Sequence, residues 1–143
     1  MNGRLMKDTM IHPVTGEILR RNVRPTTYRY KGLERTVDQP GWYPEDNNEG
    51  IFVGIDMAVS DQALYEMKAE YAASPKPEEV RRIREHLGLS QRRAGDVLGG
   101  GPRAFQKYES GDVAVSRPMA NLLKLLDREP ARLQELIDET KSA

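Results

Sequence analysis

Leu89–Gly111 reads LSQRRAGDVLGGGPRAFQKYESG. Two short helical segments flank three consecutive glycines, and the second segment carries polar and basic side chains on one face. Counting from Gln91, the fourth, eighth, fifteenth and eighteenth positions are Ala94, Leu98, Phe105 and Tyr108. These are the positions that pack the two helices of a helix-turn-helix together. The fifth must be small because the helices cross closely there, and it is Gly95. The ninth, at the turn, favours the positive φ that glycine adopts without penalty, and it is Gly99. Pro102 suits the first turn of the second helix, where its missing N–H costs nothing. Ser90 is placed to cap the first helix with its hydroxyl. The stretch predicts a DNA-reading helix-turn-helix with helices at about 91–98 and 102–109. A helical bundle with no DNA role would not require packing positions, turn and polar face to agree.

Outward from this motif the C-terminal part reads as all helix. Pro77 opens a helix through Leu87, with Val80, Ile83 and Leu87 on one face and Gly88 at its end. Ser116 is placed to cap a fourth helix carrying Met119, Leu122, Leu123, Leu125 and Leu126, and Pro130 to open a fifth with Leu133, Leu136 and Ile137. The last two helices hold more leucine than so small a bundle needs, which points to a homodimer through the C-terminal domain. Such a dimer sets two recognition helices one DNA turn apart.

Before the motif the pattern is β. Residues 17–23 and 26–31 suggest a strand pair, and Arg35–Val37 and Gly50–Val53 two further strands. Asp38–Glu49, with Pro40-Gly41 and Asn47-Asn48, reads as a loop. Asp61 is placed to cap a helix to about Ala72, with Leu64, Met67 and Tyr71 on one side. Ala72-Ala73-Ser74-Pro75-Lys76-Pro77 reads as an extended linker. The expected organisation is a partner-binding domain over 1–72, a linker over 73–77 and a DNA-binding and dimerisation domain over 78–143. The fold class is α+β: a small β-rich domain with one helix, then five helices. The first domain has little core, so a partner, a metal or a dimer would have to support it.

Charge is segregated along the chain. The 22 basic and 22 acidic residues cancel. Yet residues 1–36 are basic, 37–70 are acidic and 76–108 are basic again. Local field rather than net charge steers DNA, so distinct surfaces are expected. For the first basic segment, a set of solvated faces is an equal alternative. There is no cysteine, hence no disulfide and no thiolate metal site. No apolar run approaches the roughly 18 residues of a membrane span, and no signal-peptide core opens the chain. These features suit a cytoplasmic protein with no membrane contact.

The motifs LSQ, LGGGPRAFQKYESG and NLLKLLDREP, in that order and spacing, resemble the MqsA-type antitoxins of bacterial toxin–antitoxin pairs. The triple glycine is the most specific element; the YESG ending is shared with the wider Xre-like class. The N-terminal half matches as a skeleton. His12-Pro13-Val14-Thr15 stands where that family carries a CPVC zinc knuckle, and Tyr28–Gly32 fits its strand segment. Gly50–Asp56 occupies the place of its second cysteine pair. All four thiolates are absent, and His12 and Asp56 alone do not make a zinc site, so neither metal nor cofactor is expected. His12 is expected to be a loop histidine and His86 a helix-end group. Apolar packing by Ile11, Ile18, Phe52, Val53 and Ile55 is the expected substitute for zinc. The resemblance implies two partners: a palindromic double-stranded DNA operator, bound by the C-terminal dimer, and a cognate toxin bound by the N-terminal domain, often an mRNA-cleaving ribonuclease.

The resemblance also places the bases' readers. That family reads through an Asn near the start of the recognition helix and an Arg four residues later; the matching positions are Arg103 and Lys107. A spacing of four keeps both on one face. Arg103 can fork onto guanine O6 and N7, and Lys107 can reach guanine or phosphate. Gln106 adjoins them. Gln91, Arg92 and Arg93 are expected at phosphates, at an already electropositive helix end; for Arg92 and Arg93 the alternative is a solvated face. Ser116 and Arg117 would add a phosphate clamp. Phe105 and Tyr108 fit core packing better than base stacking. With two histidines far apart, no cysteine and no Gly-rich loop before a Lys-Ser/Thr pair, no catalytic constellation stands out. The leading expectation is a non-enzymatic antitoxin and autorepressor. The alternatives are a stand-alone transcription regulator and an interaction adaptor that no longer reads DNA.

Overall fold

A computed structural model describes residues 8–142. The chain divides into two compact units, Met1–Arg29 with Glu34–Glu66, and Tyr30–Leu33 with Met67–Ala143. The α+β class holds, with a three-stranded sheet followed by helices.

In the first unit the strands are β1 (Thr9–Ile11), β2 (Ile18–Tyr30) and β3 (Leu33–Tyr43), in the order β1-β2-β3. β1 is antiparallel to β2, with Ile11 opposite Ile18 and Thr9 opposite Arg20. The expected strand pair at 17–31 is instead one strand of 13 residues that runs through Pro25. Among the described residues β1 pairs with β2 over Ile18–Arg20, and Pro25, which has no N–H to donate, lies beyond that stretch. β3 extends through Pro40-Gly41, which the sequence suggests is a loop. Gly41 lets it continue: a Cβ there would lie 2.7 Å from the Phe52 ring. Gly50–Val53 is not a strand; Ile51 makes one isolated bridge, to Trp42.

Among the described residues the core of this unit is small and partly polar. Leu19, Tyr43 and Ala63 are buried, together with Gln39 and Asp56. Asp56 sits in a one-turn 3-10 helix, Gly54–Met57. Its carboxylate accepts two hydrogen bonds from Arg21, at 2.9 and 2.7 Å, and one from the Val53 N–H at 3.1 Å. Gln39 Nε2 donates to the Asp56 carbonyl at 2.6 Å, and the Tyr43 hydroxyl donates to the Gln39 carbonyl at 2.7 Å. Arg24 donates to the carbonyls of Pro44, Asp46 and Asn48 and stacks over the Tyr43 ring. The expected aliphatic packing does not form: Ile11, Ile18, Val53 and Ile55 are all exposed, and only Phe52 is half-buried, edge-on to Tyr43. Arg21, ion-paired with Asp56, and Arg24, bonded to three carbonyls, tie the loop down instead.

Helix α1 (Ala58–Ala73) follows directly from the 3-10 turn, so it begins before Asp61, which lies in its first turn. Ala63 and Met67 are buried, whereas Leu64 faces solvent.

The second unit contains α2 (Pro77–His86), α3 (Gln91–Leu98), α4 (Ala104–Ser110), α5 (Arg117–Arg128) and α6 (Leu133–Ser142). Pro77 stands in the first turn of α2, with Glu78 and Glu79 beside it and Arg84 and His86 in the last turn, which complements the helix dipole at both ends. Pro130 opens a 3-10 turn, Pro130–Arg132, that leads into α6. Val80, Ile83, Leu89, Ala94, Phe105, Val115, Met119, Leu123, Leu126 and Leu133 belong to one core. Tyr30–Leu33 is part of this unit too. The Lys31 carbonyl accepts from the Ala114 N–H at 2.8 Å, and Lys31 Nζ donates to the Gly111 carbonyl at 2.9 Å. Lys31 and Gly32 have φ of 51° and 78°, the left-handed pair a two-residue hairpin turn requires.

Candidate nucleic-acid interface

The helix-turn-helix forms as its packing residues dictate. Ala94 and Phe105 are fully buried between α3 and α4, and the Tyr108 ring meets Phe105 edge-on at 5.2 Å. Burial pushes the Tyr108 phenol up, as befits a ring used for packing. Gly95 is small for a more local reason than helix crossing: a Cβ there would collide with the Gly101 carbonyl oxygen, in the turn itself. Gly99, Gly100 and Gly101 all have positive φ, at 113°, 94° and 90°. The left-handed stretch is therefore three residues long. In consequence α4 starts at Ala104 rather than at Pro102, and Arg103 becomes its N-cap residue.

Arg103 and Lys107 keep their four-residue spacing across the first turn, with the Lys107 N–H bonded to the Arg103 carbonyl at 3.2 Å. Both side chains are exposed, as is Gln106. Arg92, Arg93 and Arg117 are exposed as well. Among the described residues, none of these five cations has an ionic or hydrogen-bonding side-chain partner. The contrast with α2 is sharp, since Arg81, Arg82 and Arg84 are all ion-paired. Ser90 Oγ caps α3 by accepting from the Arg93 N–H at 3.1 Å, and Ser116 Oγ caps α5 by accepting from Met119 at 3.3 Å. Each hydroxyl keeps its proton for an outside acceptor. The first turns of α3 and α5 hold no acidic residue, unlike those of α1, α2 and α6. Their N-terminal N–H groups thus keep an uncompensated positive end, the arrangement that receives phosphate.

One predicted residue is turned inward. Gln91 is half-buried, and its Nε2 donates to Glu109 Oε1 at 3.2 Å. Glu109 is the hub of a group that sequence reasoning missed. It accepts both a 2.7 Å and a 2.9 Å bond from Arg84, whose third nitrogen donates to the Leu89 carbonyl. The two side chains are 12% and 6% exposed, so water screens the pair little. The Glu109 carboxylate holds the Arg84 guanidinium above its ordinary value. The pair ties the last turn of α4 to α2 and to the start of α3. Its one trace in the sequence is an acid in the last turn of an otherwise basic helix, where the dipole disfavours it.

In the basic N-terminal segment several cations bond within the protein. Arg21, Arg24, Arg29 and Lys31 are all engaged within their own units. His12 Nδ1 accepts from the N–H groups of Val14 and Thr15, at 3.1 and 3.2 Å, and so caps the β1–β2 turn.

Comparison with known proteins gives the family. The model of the antitoxin component of bacterial toxin–antitoxin systems, MqsA, matches residues 10–137. The chain belongs to the MqsA antitoxin family. Antitoxin MqsA of Escherichia coli (strain K12) is 33% identical over 81 residues, which are 54% of this chain and 62% of that protein. The chain thus spans about three fifths of the curated relative it matches.

The MqsA-type zinc site does not fit the residues present. The chain has no cysteine, and no group of three or more His, Asp or Glu could hold a metal among the described residues. His12 Nδ1 is taken by two backbone donors and the Asp56 carboxylate by Arg21.

Proposed function

We propose that the chain is an antitoxin and autorepressor that binds a palindromic operator as a homodimer and neutralises a cognate toxin, a ribonuclease. In this reading residues 78–143 bind DNA and dimerise, 73–77 link, and 1–72 bind the toxin in the cytoplasm. It is a non-enzymatic regulator. No helix among the described residues is long and apolar enough to cross a membrane.

The carrying observation is the set of five exposed, unpartnered cations at α3, α4 and the start of α5, beside two helix ends free of acidic residues. Arg103 and Lys107 read bases, with guanine favoured. Arg92, Arg93 and Arg117 neutralise phosphates, and Ser116 adds a hydroxyl donor. Gln106 reaches a base edge or the backbone, and Gln91 offers its Oε1 to the motif while Glu109 fixes its amide. The homodimer uses a cleft of ≈ 500 Å³ between α5 and α6, lined by Leu122, Leu125 and Leu136 and rimmed by charges of both signs. A two-fold contact there would pair acids with bases.

The test is fluorescence anisotropy on DNA from the gene's own promoter. Arg103→Ala with Lys107→Ala is expected to cost about 2–6 kcal/mol of specific binding. The same pair on unrelated DNA should cost far less. Unchanged operator affinity would reject the site.

A further inference from the structure

We propose that the apolar 3-10 turn Gly54–Met57, with the adjoining face of α1, is the surface on which this protein seats its toxin, and that the toxin is a basic protein with an apolar cleft. This rests on the antitoxin reading and goes beyond it by naming the surface and the partner's chemistry.

Three observations within the first unit carry it. The turn presents aliphatic side chains to solvent: Val53 is 51% exposed, Ile55 86% and Met57 42%. Along α1, Leu64 and Tyr65 are exposed at seven and eight residues after Met57, so they continue the same helical stripe. Aliphatic side chains gathered in one short segment mark a contact surface more than single exposed residues do.

The turn is also held rigid from beneath. Between Ile55 and Met57 stands Asp56, 2% exposed, which accepts from Arg21 twice and from the Val53 N–H. Gln39 fixes its carbonyl. A buried charge at the middle of an exposed apolar turn does nothing for aliphatic packing; it fixes the backbone that displays Ile55. Such preorganisation lowers the entropy lost on binding.

Charge then selects the occupant. Between Arg35 and Lys68 the sequence has no lysine, arginine or histidine. Asp56 is neutralised by Arg21, but Glu45, Glu49 and Asp61 are exposed on the same segment. An apolar centre on an acidic segment complements a basic partner, and like charge disfavours a second copy of this segment.

The test titrates the full chain with the product of the neighbouring gene by calorimetry. Ile55→Lys places a cation where the partner is basic and is expected to weaken binding by about 30-fold or more. Glu45→Lys with Glu49→Lys should weaken it about 10-fold at low salt, and the deficit should shrink as salt rises. Val14→Lys, at an equally exposed aliphatic in the β1–β2 turn, should stay within about 3-fold. Trp42 fluorescence and operator affinity, measured on each variant, should stay as in the parent chain. Parent binding that survives Ile55→Lys, or falls as much with Val14→Lys, overturns this surface and leaves the antitoxin reading standing. No binding by the parent chain overturns both. A homodimer that dissociates with Ile55→Lys would assign the surface to a second copy instead.

Discussion

In the second unit twelve buried side chains, nearly all aliphatic, form one core; in the first, among the described residues, Leu19, Tyr43 and Ala63 share the interior with a glutamine and an aspartate. The helical unit is stabilised by area removed from water, a non-directional effect that tolerates approximate fits. The sheet unit depends on directed bonds among Arg21, Arg24, Gln39, Tyr43 and Asp56, which fail when one partner is lost. The difference predicts two kinds of fragility in one chain. Trp42, the only tryptophan, lies under the Arg21 guanidinium at 5.0 Å and reports on the first unit; helical ellipticity reports mainly on the second.

The largest expected effect is in the helical unit. Phe105 is fully buried, and Phe105→Ala should lower stability by about 3–5 kcal/mol, read as an earlier denaturant midpoint in ellipticity. A loss under about 1 kcal/mol would mean that the core relaxes into the space and that the contrast is overstated.

Asp56→Asn should act next, by about 2 kcal/mol, because Arg21 is a third exposed and water screens part of the loss. Its mark is a pH dependence. The Arg21 guanidinium, with the Val53 N–H, holds the Asp56 carboxyl below its ordinary value of 3.8 against the opposing effect of burial. A depressed folded value means the group stabilises fully above 3.8 and less as pH falls toward the depressed one. Acid unfolding followed by Trp42 should therefore lose slope below pH 4 in Asp56→Asn. An unchanged acid limb would show that this carboxylate does not govern the unit.

The same contrast explains what could be read in advance. Helix α3, the turn and α4 were legible because Ala94, Leu98, Phe105 and Tyr108 recur at helical spacing, and because Ser90 and Gly99 mark the ends by local chemistry. The start of α4 was misplaced by two residues because the sequence alone does not show that all three glycines go left-handed. The sheet unit was legible only as β-rich. Its strands were cut at Pro25 and at Pro40-Gly41, local breakers through which β2 and β3 nonetheless run, the second with Gly41 against the Phe52 ring. Its ties join Arg21 to Asp56, 35 residues apart, and Arg24 to a loop 20–24 residues on. No periodicity announces a bond of that kind. Arg84 and Glu109 escaped notice for the same reason, at a separation of 25. The exposure of Arg92 and Arg103 was easier to foresee, since it needs only the helix face.

The smallest effect separates charge from shape. Arg24 donates to three carbonyls of one loop, at 2.7, 2.8 and 3.0 Å, and stacks 4.4 Å over Tyr43. Arg24→Lys keeps the charge but loses the planar fork and much of the stacking, because an ammonium is a compact point charge on a flexible stem. If the loop is organised by a guanidinium with fixed directions, the substitution should cost about 1 kcal/mol in the Trp42 transition. Arg24→Met, which keeps bulk without charge, should then cost more, since three carbonyls lose their donor together. If Arg24→Lys costs nothing and Arg24→Met costs the full amount, the loop responds to positive charge alone. The two units would then differ in what they bury and no longer in how much direction their stabilising bonds require.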